Sequence, residues 1–391
     1  MVLEPFPSPV NAWKERESAT MKLTIERAAM LQALGHVQSV VERRNTIPIL
    51  SNVLLKGEDG RLALSATDMD IEIVARAPAQ SASTGSTTAP AHTLYDIVRK
   101  LRDGSQIELD AAGDKGQMIL RSGRSTFTLA CLPPEDYPLM STGDLAHNFT
   151  VTAAELKRLI DRTRFAISTE ETRYYLNGIY LHAARANEVP MLRAVATDGH
   201  RLARMEIPLP EGASGMPGVI VPRKTVAEVR KLLDTDGAAD QDVAISLSDT
   251  KIRFVMGETV LNSKLIDGTF PDYDRVIPQG NDKILEIESK SFAEAVDRVS
   301  TISRAVKLTI ERGSVNLSAT SPENGTASEE LEVRYNSAPI EVGFNAKYLL
   351  DIAGQIEGEG ARISLADAAS PAIMQDAADA SAIYVLMPMR V

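Results

Sequence analysis

The stretch that decides the fold is AVATDGHRLARMEI, residues 194–207, in which an apolar run leads into an Ala-Thr pair. Two weaker copies of its opening occur, LALSATDMDIEI at residues 62–73 and VNLSATSPENGTASEELEV at residues 315–333. Self-similarity at a long, nearly constant period is typical of repeated domains. We therefore interpret this stretch as part of a repeated architecture rather than as a catalytic centre.

Other elements recur at the same period. A strand followed by a helix occurs at residues 22–41, 149–166 and 285–303. A second helix followed by a strand begins near His92, Lys224 and Lys347, and alternating strand pairs follow. The pattern predicts an α+β fold of three similar domains, each with two helices and about eight strands. We place these domains at residues 21–146, 147–282 and 283–391.

The middle copy shows how its first helix begins and packs. An apolar stripe with the i, i+3, i+4, i+7 spacing is formed by Leu156, Leu159, Ile160 and Thr163. The combination of Thr152 with Glu155 three residues later predicts a capping box. The second helices are predicted to end on left-handed glycines, namely Gly104, Gly237 and Gly358.

Composition limits the class of protein. With 44% hydrophobic and 24% charged residues, the 391-residue chain can bury several cores and stay soluble. Its single cysteine, Cys131, excludes an intramolecular disulfide and favours a cytoplasmic location. No apolar run approaches the ~20 residues of a membrane helix. Residues 1–20 contain three prolines and no periodic pattern, so we interpret them as an extension, a tag or a mis-assigned start.

The net charge of −11 argues, taken alone, against binding to nucleic acid. The predicted outward helix faces are nevertheless basic, whereas acidic residues cluster in turns. These basic residues are Arg99, Lys100 and Arg102 in the first repeat and Lys157, Arg158, Arg162 and Arg164 in the second. The third repeat is sparser. The recurrence favours one shared basic surface inside an acidic shell, while an ordinary solvated helix face remains the alternative for each helix.

Catalytic and metal-binding alternatives have weaker support. His200 could act as a general base oriented by Asp198, which would make the protein a hydrolase. Asp68, Asp70 and Glu72 alternate along a strand and could hold Mg²⁺, although we favour charges on an edge strand. No zinc-protease or phosphate-binding glycine motif is present in the sequence. We expect no cofactor, no bound metal and no catalytic residues.

Two segments suggest binding surfaces. STEETRYY, residues 168–175, joins a basic residue to two aromatic residues in a turn, which suits contact with sugar-phosphate or ordinary loop packing.

The chain ends in YVLMPMRV, which is apolar almost to the last residue. Because Pro388 cannot donate a hydrogen bond, the last strand should fray there or lie at a sheet edge. An exposed apolar terminus predicts a surface on which a partner docks.

The chain from residue 21 onward resembles the bacterial sliding clamps, the β subunits of DNA polymerase III. The resemblance rests on RYYLNG, ATDGHRLA, VIVPRK, SKLIDGTFPDYDRVIP, GFNAKYLLD and YVLMPMR, at residues 173–178, 196–203, 219–224, 263–278, 343–351 and 384–390. It implies three tandem clamp domains with inner helices and outer antiparallel sheets. It also implies a head-to-tail homodimer, a six-domain ring around duplex DNA that acts as a non-enzymatic processivity factor.

The resemblance further implies a partner-peptide groove between the second and third repeats. Its residues would be Leu176, Thr197, Gly199, His200, Arg201, Leu202, Pro271, Arg275, Val276, Asn345, Tyr348, Pro371, Val385, Leu386, Met387, Pro388, Met389 and Arg390. His200 and Arg201 are expected to donate hydrogen bonds to the peptide. Residues carried over as DNA contacts are Arg44, Tyr174 and Tyr175, with Arg223 and Lys224 on an inner helix. His92 and Glu170 depart from the family pattern.

The implied partners are duplex DNA, bound without sequence preference, the catalytic subunit of DNA polymerase III, the clamp loader, and other polymerases and repair proteins with short clamp-binding peptides. No membrane partner is expected. The connection at residues 302–306 is shorter than the corresponding loop of the family. A peptide-binding scaffold that never encircles DNA remains the alternative function.

Overall fold

The computed structural model describes residues 21–111, 116–141, 143–234 and 241–390. Residues 1–20 and Gly237 lie outside the described residues. The chain divides into two compact units. The first contains the residues up to Asp144 together with Arg253–Ser263, and the second contains Leu145–Ile252 together with Lys264–Val391. The hairpin around Gly257 therefore belongs with the first unit.

The α-helices of the described residues come in three pairs, as the repeats predict. They are α1 Arg27–Gln38, α2 Ala91–Lys100, α3 Ala153–Asp161, α4 Arg223–Leu232, α5 Ser289–Ser300 and α6 Ala346–Ala353. Short 3-10 helices occupy Pro48–Ser51, Pro134–Asp136, Arg164–Ala166, Glu171–Leu176 and Tyr273–Val276. None of the helices in the described ranges combines the length and apolar character needed to cross a membrane.

The strands are short, and many of them alternate between buried and more exposed side chains. Up to the start of α3 they are β1 Met21–Glu26, β2 Asn52–Glu58, β3 Arg61–Thr67, β4 Ile71–Pro78, β5 Gln80–Ser83, β6 Gly85–Pro90, β7 Gln106–Ala111, β8 Gln117–Ser122, β9 Ser125–Ala130 and β10 His147–Thr152. Up to the start of α5 they are β11 Gly178–Ala186, β12 Val189–Thr197, β13 Arg201–Pro208, β14 Val219–Pro222, β15 Asp242–Leu247, β16 Lys251–Met256, β17 Thr259–Lys264 and β18 Lys283–Glu288. The remaining strands are β19 Ala305–Glu311, β20 Ser314–Ser321, β21 Gly325–Glu332, β22 Ile340–Asn345, β23 Gly360–Leu365, β24 Ala372–Asp376 and β25 Ala382–Leu386.

The strands pair in the antiparallel direction in both units, and one sheet of the second unit links two repeats. In the first unit the strand orders are β5-β1-β7-β8-β9 and β17-β4-β3-β2-β6. In the second unit an eight-stranded sheet has the order β14-β11-β12-β13-β25-β24-β23-β18, beside a four-stranded sheet β21-β20-β19-β22. The link is the register from Arg201↔Leu386 to Met205↔Ala382. It places the end of the chain beside the strand that follows the TDGH turn.

The predicted start of α3 is confirmed. The backbone N–H of Glu155 donates to Thr152 Oγ1 at 3.2 Å, and the backbone N–H of Thr152 donates to Glu155 Oε2 at 2.9 Å. Leu156, Leu159 and Ile160 are all buried beneath the helix. The capping box therefore satisfies two amide donors that the first turn would otherwise leave unpaired.

The prediction for Gly358 is wrong. Helix α6 already ends at Ala353, and Gly358 does not adopt positive φ. Its backbone N–H donates to Asp376 Oδ2 at 2.7 Å, and a Cβ there would lie 2.5 Å from the other carboxylate oxygen. A glycine at this position therefore lets a carboxylate approach the backbone. Gly104 does have positive φ, 71°, but it lies four residues beyond the end of α2.

The prediction of edge-strand charges at residues 68–72 is also wrong. Strand β4 pairs with β3 on one side and β17 on the other, so it is an internal strand. Glu72 is buried and accepts a hydrogen bond from Asn262 Nδ2 at 3.0 Å. Asp68 instead accepts the backbone N–H groups of Asp70 and Ile71 at 2.9 and 2.8 Å. These carboxylates stabilise a turn and a buried pair, which argues against the magnesium alternative.

Candidate functional site

The TDGH stretch is a hairpin turn between β12 and β13. The Thr197 hydroxyl donates to the carbonyl of Arg201 at 2.7 Å, and Asp198 Oδ1 accepts the backbone N–H groups of His200 and Arg201 at 2.9 and 3.0 Å. Gly199 has a φ of 88°, which favours glycine. The turn thus uses backbone and side-chain hydrogen bonds to reverse the chain.

The first repeat contains the same turn. Thr67 Oγ1 donates to the carbonyl of Ile71 at 2.8 Å, and Asp68 Oδ1 accepts the backbone N–H groups of Asp70 and Ile71. Met69 adopts a φ of 78° where the second repeat has Gly199. The interpretation of the motif as architecture is therefore confirmed by geometry. The Asp198 carboxylate holds the turn instead of orienting the His200 imidazole, which removes the basis for the hydrolase alternative.

The buried Arg201 side chain connects the turn to Tyr348 and Asp351. Its side chain is 8% exposed, and its guanidinium lies 4.4 Å from the ring centroid of Tyr348 and 5.1 Å from that of Phe165. Its Nη1 pairs with Asp351 at 2.5 Å, its Nε pairs with Asp198 at 3.2 Å, and its Nη2 donates to the Phe165 carbonyl at 2.7 Å. Three of its five N–H donors thus have partners inside the protein, and donation from Arg201 to a peptide stays a prediction.

His200 and the C-terminal residues lie side by side. The exposed His200 ring stacks on Tyr348 with centroids 6.3 Å apart, and the carbonyl of His200 accepts the N–H of Met387 at 3.0 Å. The N–H of Met389 donates to the carbonyl of Gly343 at 2.9 Å. Strand β25 ends at Leu386, two residues before Pro388, as predicted, but it is paired on both sides rather than at an edge.

An apolar cluster adjoins these residues in the second unit. Its buried members are Leu176, Val195, Leu202, Ile220, Phe270, Tyr273, Ile277, Ile383 and Val385. Tyr175, Tyr180, Ile266 and Ile373 pack against it and are only partly buried. The structure therefore brings together Leu176, Leu202 and Val385, three of the predicted groove residues. We call this set the groove cluster.

Sequence reasoning missed most of the groove cluster. The apolar runs in strands β12 and β25 predict that Val195 and Ile383 are buried, but not that they face one cluster. Phe270, Tyr273 and Ile277 lay inside a recognised motif, where their apolar character beside Pro271 was the available signal. Their long-range partners could not be obtained from spacing alone.

The other predicted groove residues differ in their exposure and in their partners within the chain. Arg275 and Val276 are exposed, and Arg275 pairs with Asp272 at 2.7 Å. Asn345 caps α6 by accepting the N–H of Lys347 at 3.0 Å. The carbonyl of Pro371 accepts a hydrogen bond from Asn281 at 3.0 Å. Leu386 is fully buried, whereas Pro271, Met387 and Arg390 are exposed.

The residues carried over as DNA contacts lie in different elements. Arg44 is exposed in the segment after α1, in the first unit. Tyr174 and Tyr175 belong to the 3-10 helix Glu171–Leu176, and the Tyr174 side chain is largely exposed. Arg223 and Lys224 begin α4.

The two positions that depart from the family pattern have partners within the chain. His92 Nε2 is 3.0 Å from the Val41 carbonyl, and its Nδ1 is 3.1 Å from Gln38 Oε1. Glu170 forms an ion pair with Arg173. This pairing lowers the pKa of the Glu170 carboxyl, with a further contribution from the Thr172 hydroxyl.

The basic surface of the second repeat is more neutralised than its sequence predicts. Each of its four basic side chains forms an ion pair: Lys157 with Asp234 at 2.8 Å, Arg158 with Asp379 at 2.9 Å, Arg162 with Glu357 at 2.8 Å and Arg164 with Asp161 at 3.0 Å. Arg162 is buried, so its predicted outward position is wrong. These residues line a cleft of about 820 Å³ together with Arg223. The positive field of this surface is therefore weaker than the four basic side chains alone would produce.

Two further features bear on the predictions. The short connection at residues 302–306 is a closed turn, in which α5 ends at Ser300, β19 begins at Ala305 and the N–H of Ala346 donates to the Arg304 carbonyl at 2.8 Å. Among the residues that the structure describes, no cluster of three or more His, Cys, Asp or Glu side chains could hold a metal ion.

Comparison with known proteins decides the family. Three family profiles match almost the whole described chain: the N-terminal domain of the DNA polymerase III beta subunit at residues 21–141, its central domain at 150–272 and its C-terminal domain at 274–390. The chain belongs to the DNA polymerase III beta subunit family. The prediction of three tandem clamp domains is confirmed by this match.

Curated relatives of this beta subunit are named beta sliding clamps. The protein from Caulobacter vibrioides is 56% identical over 95% of this chain and 100% of its own length. The protein from Escherichia coli K12 is 40% identical over 95% of this chain and 100% of its own length. Members of the family are non-catalytic processivity factors of DNA replication, so the chain is a sliding clamp and not an enzyme.

Solved structures of sliding clamps have the same fold. A Caulobacter crescentus clamp, with polyethylene glycol bound to a proposed beta-motif tethering region, has a TM-score of 0.92 and 56% identity, covering 95% of this chain and 99% of that chain. A Bartonella birtlesii clamp bound to griselimycin has a TM-score of 0.92 and 51% identity, covering 95% and 100%. The alignment thus includes both units of this sliding clamp.

Proposed function

We propose that the groove cluster and its exposed rim bind the short peptides of replication and repair proteins. The observation that carries this proposal is an apolar cluster bordered by exposed apolar side chains, Val276 and Met387, which are 51% and 43% exposed. Concave apolar sites with a few convergent polar groups are the usual form of ligand sites. The sliding clamp tethers the polymerase by holding such a peptide while the ring encloses DNA.

The groove residues divide by their geometry into three roles. Apolar contact comes from the cluster and rim: Leu176, Leu202, Pro271, Val276, Pro371, Val385, Leu386, Met387, Pro388 and Met389. Polar and aromatic contact comes from Thr197, Gly199, His200, Arg275, Asn345, Tyr348 and Arg390. Arg201 positions Tyr348 through a cation–π contact and the turn through its ion pair with Asp198. The partners are the polymerase catalytic subunit, the clamp loader and other polymerases and repair proteins.

The DNA side of the proposal rests on the six α-helices that the described residues of each chain form. A head-to-tail dimer of three-domain chains, with domains at 21–146, 147–282 and 283–391, would contribute twelve helices. With neighbouring axes ~8–10 Å apart, these would close a ring with an opening of roughly 20–30 Å. A duplex roughly 20 Å wide can pass through such an opening.

The neutralised basic surface supports sliding rather than tight binding. Because a ring holds DNA by enclosure, strong phosphate contacts would only oppose movement along the duplex. Weak contacts without sequence preference are assigned to Arg44, Tyr174, Tyr175, Arg223 and Lys224. The role in replication supports our proposal that the protein acts in the cytoplasm.

A substitution of the exposed Val276 tests the groove assignment. We expect Val276→Ser to weaken binding of a fluorescein-labelled clamp-binding peptide from the polymerase catalytic subunit about five- to tenfold, because one buried apolar contact is lost. Fluorescence anisotropy measures the affinity. Ile284→Ser is the matched control, since Ile284 is 40% exposed in the same unit and lies outside the groove cluster. Equal affinities of the two variants would contradict the groove assignment.

A further inference from the structure

One wall of the proposed groove is a short segment whose buried residues anchor it to the protein. Phe270, Tyr273 and Ile277 are 8%, 5% and 8% exposed and belong to the groove cluster. Between them Pro271, Arg275 and Val276 are exposed at the rim. The rim positions have no deep packing of their own, so their placement depends on the buried residues that flank them. We call residues 270–277 the wall segment.

The first anchor of the wall segment is an aromatic stack. The rings of Phe270 and Tyr180 are nearly parallel, with centroids 4.8 Å apart and an interplanar angle of 6°. The other neighbour of Tyr180 is His182, whose ring lies 4.5 Å away at 23°. A Cβ at Gly218 would lie 2.2 Å from the Tyr180 hydroxyl, so this glycine leaves the space that the stack needs.

The second anchor is a directed chain of hydrogen bonds to Tyr273. Arg193 Nη1 donates to the Tyr273 hydroxyl oxygen at 3.2 Å, and His182 Nε2 is 2.9 Å from the same oxygen. His182 Nδ1 is 3.0 Å from the carbonyl of Ala183, which can only accept. Nδ1 therefore carries the imidazole proton and Nε2 accepts from Tyr273. Burial raises the pKa of Tyr273, which keeps its hydroxyl proton available for this donation.

The partners of Tyr273 are themselves fixed on the sheet. The Arg193 side chain is 9% exposed, its Nε pairs with Glu206 at 2.7 Å and its Nη2 donates to the Arg185 carbonyl at 3.3 Å. His182, Arg193 and Glu206 lie on the adjacent strands β11, β12 and β13. Functional geometry is most accurate when its supports lie on such rigid elements.

We propose that Tyr273 is a positioning residue of the peptide groove, which fixes the wall segment by donating its hydroxyl proton to a neutral His182 while accepting from Arg193. The inference rests on the proposed groove and deepens it. Loss of the hydrogen bonds of Tyr273 with His182 and Arg193 makes the wall segment less ordered, but it removes no side chain that contacts the peptide. Peptide affinity then falls because the rim must be ordered when the peptide binds.

The protonation state of His182 should make peptide affinity depend on pH, which a packing role of Tyr273 alone would not do. Protonated His182 would direct an N–H at the Tyr273 oxygen, which already accepts from Arg193, so the donation from Tyr273 would be lost. Burial lowers the pKa of His182 and the charge of Arg193 lowers it further, whereas the hydrogen bond to the Ala183 carbonyl and the charge of Asp274 oppose the shift. Glu206 and Arg204 lie next to Arg193 in the same network. Neutral His182 is therefore the form at neutral pH, and affinity should fall as the pH decreases through this lowered pKa.

The experiment measures the anisotropy of the labelled polymerase peptide with full-length variants. Tyr273→Phe and His182→Leu should each weaken binding about three- to tenfold at neutral pH, the scale of one lost hydrogen bond. Tyr137→Phe is the matched control, because Tyr137 is also 5% exposed and donates to the Ser65 carbonyl at 3.1 Å in the first unit. It should leave peptide affinity unchanged. Thermal melting of each variant confirms that it is folded.

The pH profile completes the test in a His200→Gln background, which removes the other histidine of the groove from the titration. His182→Gln places a neutral amide near the position of Nε2, so it should bind better than His182→Leu and lose the fall in affinity that His182 causes below its ordinary pKa of 6.5. Tyr273→Phe with unchanged affinity, equal losses for Tyr273→Phe and Tyr137→Phe, or an unaltered pH profile in His182→Gln would each overturn the inference. If Val276→Ser also binds normally, the proposed groove itself fails.

Discussion

Deleting residues 387–391 is expected to lower the affinity for the polymerase peptide at least about 100-fold. Each of Met387, Pro388 and Met389 can bury apolar surface on a bound peptide, and three such contacts are together worth about 3–4 kcal/mol. The tail is held beside the groove by the backbone hydrogen bonds of Met387 to His200 and of Met389 to Gly343, so it needs little ordering on binding. Anisotropy or calorimetric titration measures the loss.

The same deletion should leave the fold and the dimer intact. Strand β25 keeps its partners on both sides because its pairing ends at Leu386. Sedimentation velocity should therefore give the same oligomer as the full chain, and the melting temperature should change little. If the truncated dimer still binds the peptide with full affinity, the C-terminal residues are not part of the groove.

Arg201→Met is expected to lower the free energy of unfolding by about 2–3 kcal/mol and to reduce peptide affinity as well. The substitution leaves the carboxylates of Asp198 and Asp351 without their buried cation, and removing one partner of a buried pair is strongly destabilising. The two carboxylates are 18% and 31% exposed, so water compensates for part of the loss. Urea denaturation followed by circular dichroism measures the change.

A double variant separates the charge effect from packing. Arg201→Met with Asp351→Asn should cost less than the sum of the two single substitutions, because the second change removes one of the unpaired charges. Arg201→Lys keeps a cation but loses the fork of donors to Asp198, Asp351 and Phe165, so it should rescue stability only partly. Strict additivity in the double variant would show that the ion pairs do not carry the effect.

Local features of the fold could be predicted because their signals are short in sequence. Thr152 and Glu155 form the capping box that their spacing predicts. The repeated Ala-Thr pair predicts a repeated structure, and the turns at Thr67 and Thr197 share the same hydrogen bonds. Such elements are stabilised by residues three or four positions apart, so a single sequence contains the whole pattern.

The chemistry of the site could be predicted only in part, because its side chains pair across long separations. The predicted role of Arg201 as a donor to a peptide gave no sign of its ion pair with Asp351, which lies 150 residues later. Tyr273 reaches His182 and Arg193 across 91 and 80 residues. Arg158 likewise meets Asp379 from another repeat. Helical periodicity finds a basic face, but it contains no information about the acids that neutralise it.

The central claim is that the protein is held on DNA by enclosure. The most direct test loads it onto nicked circular DNA with a clamp loader, isolates the complex by gel filtration and linearises half of the sample with a restriction enzyme. We predict that the protein stays on the intact circles and is lost from the linear molecules, because a closed ring can slide off a free end. Equal retention on circular and linear DNA would indicate ordinary surface binding, would favour a scaffold that never encircles DNA, and would contradict the account.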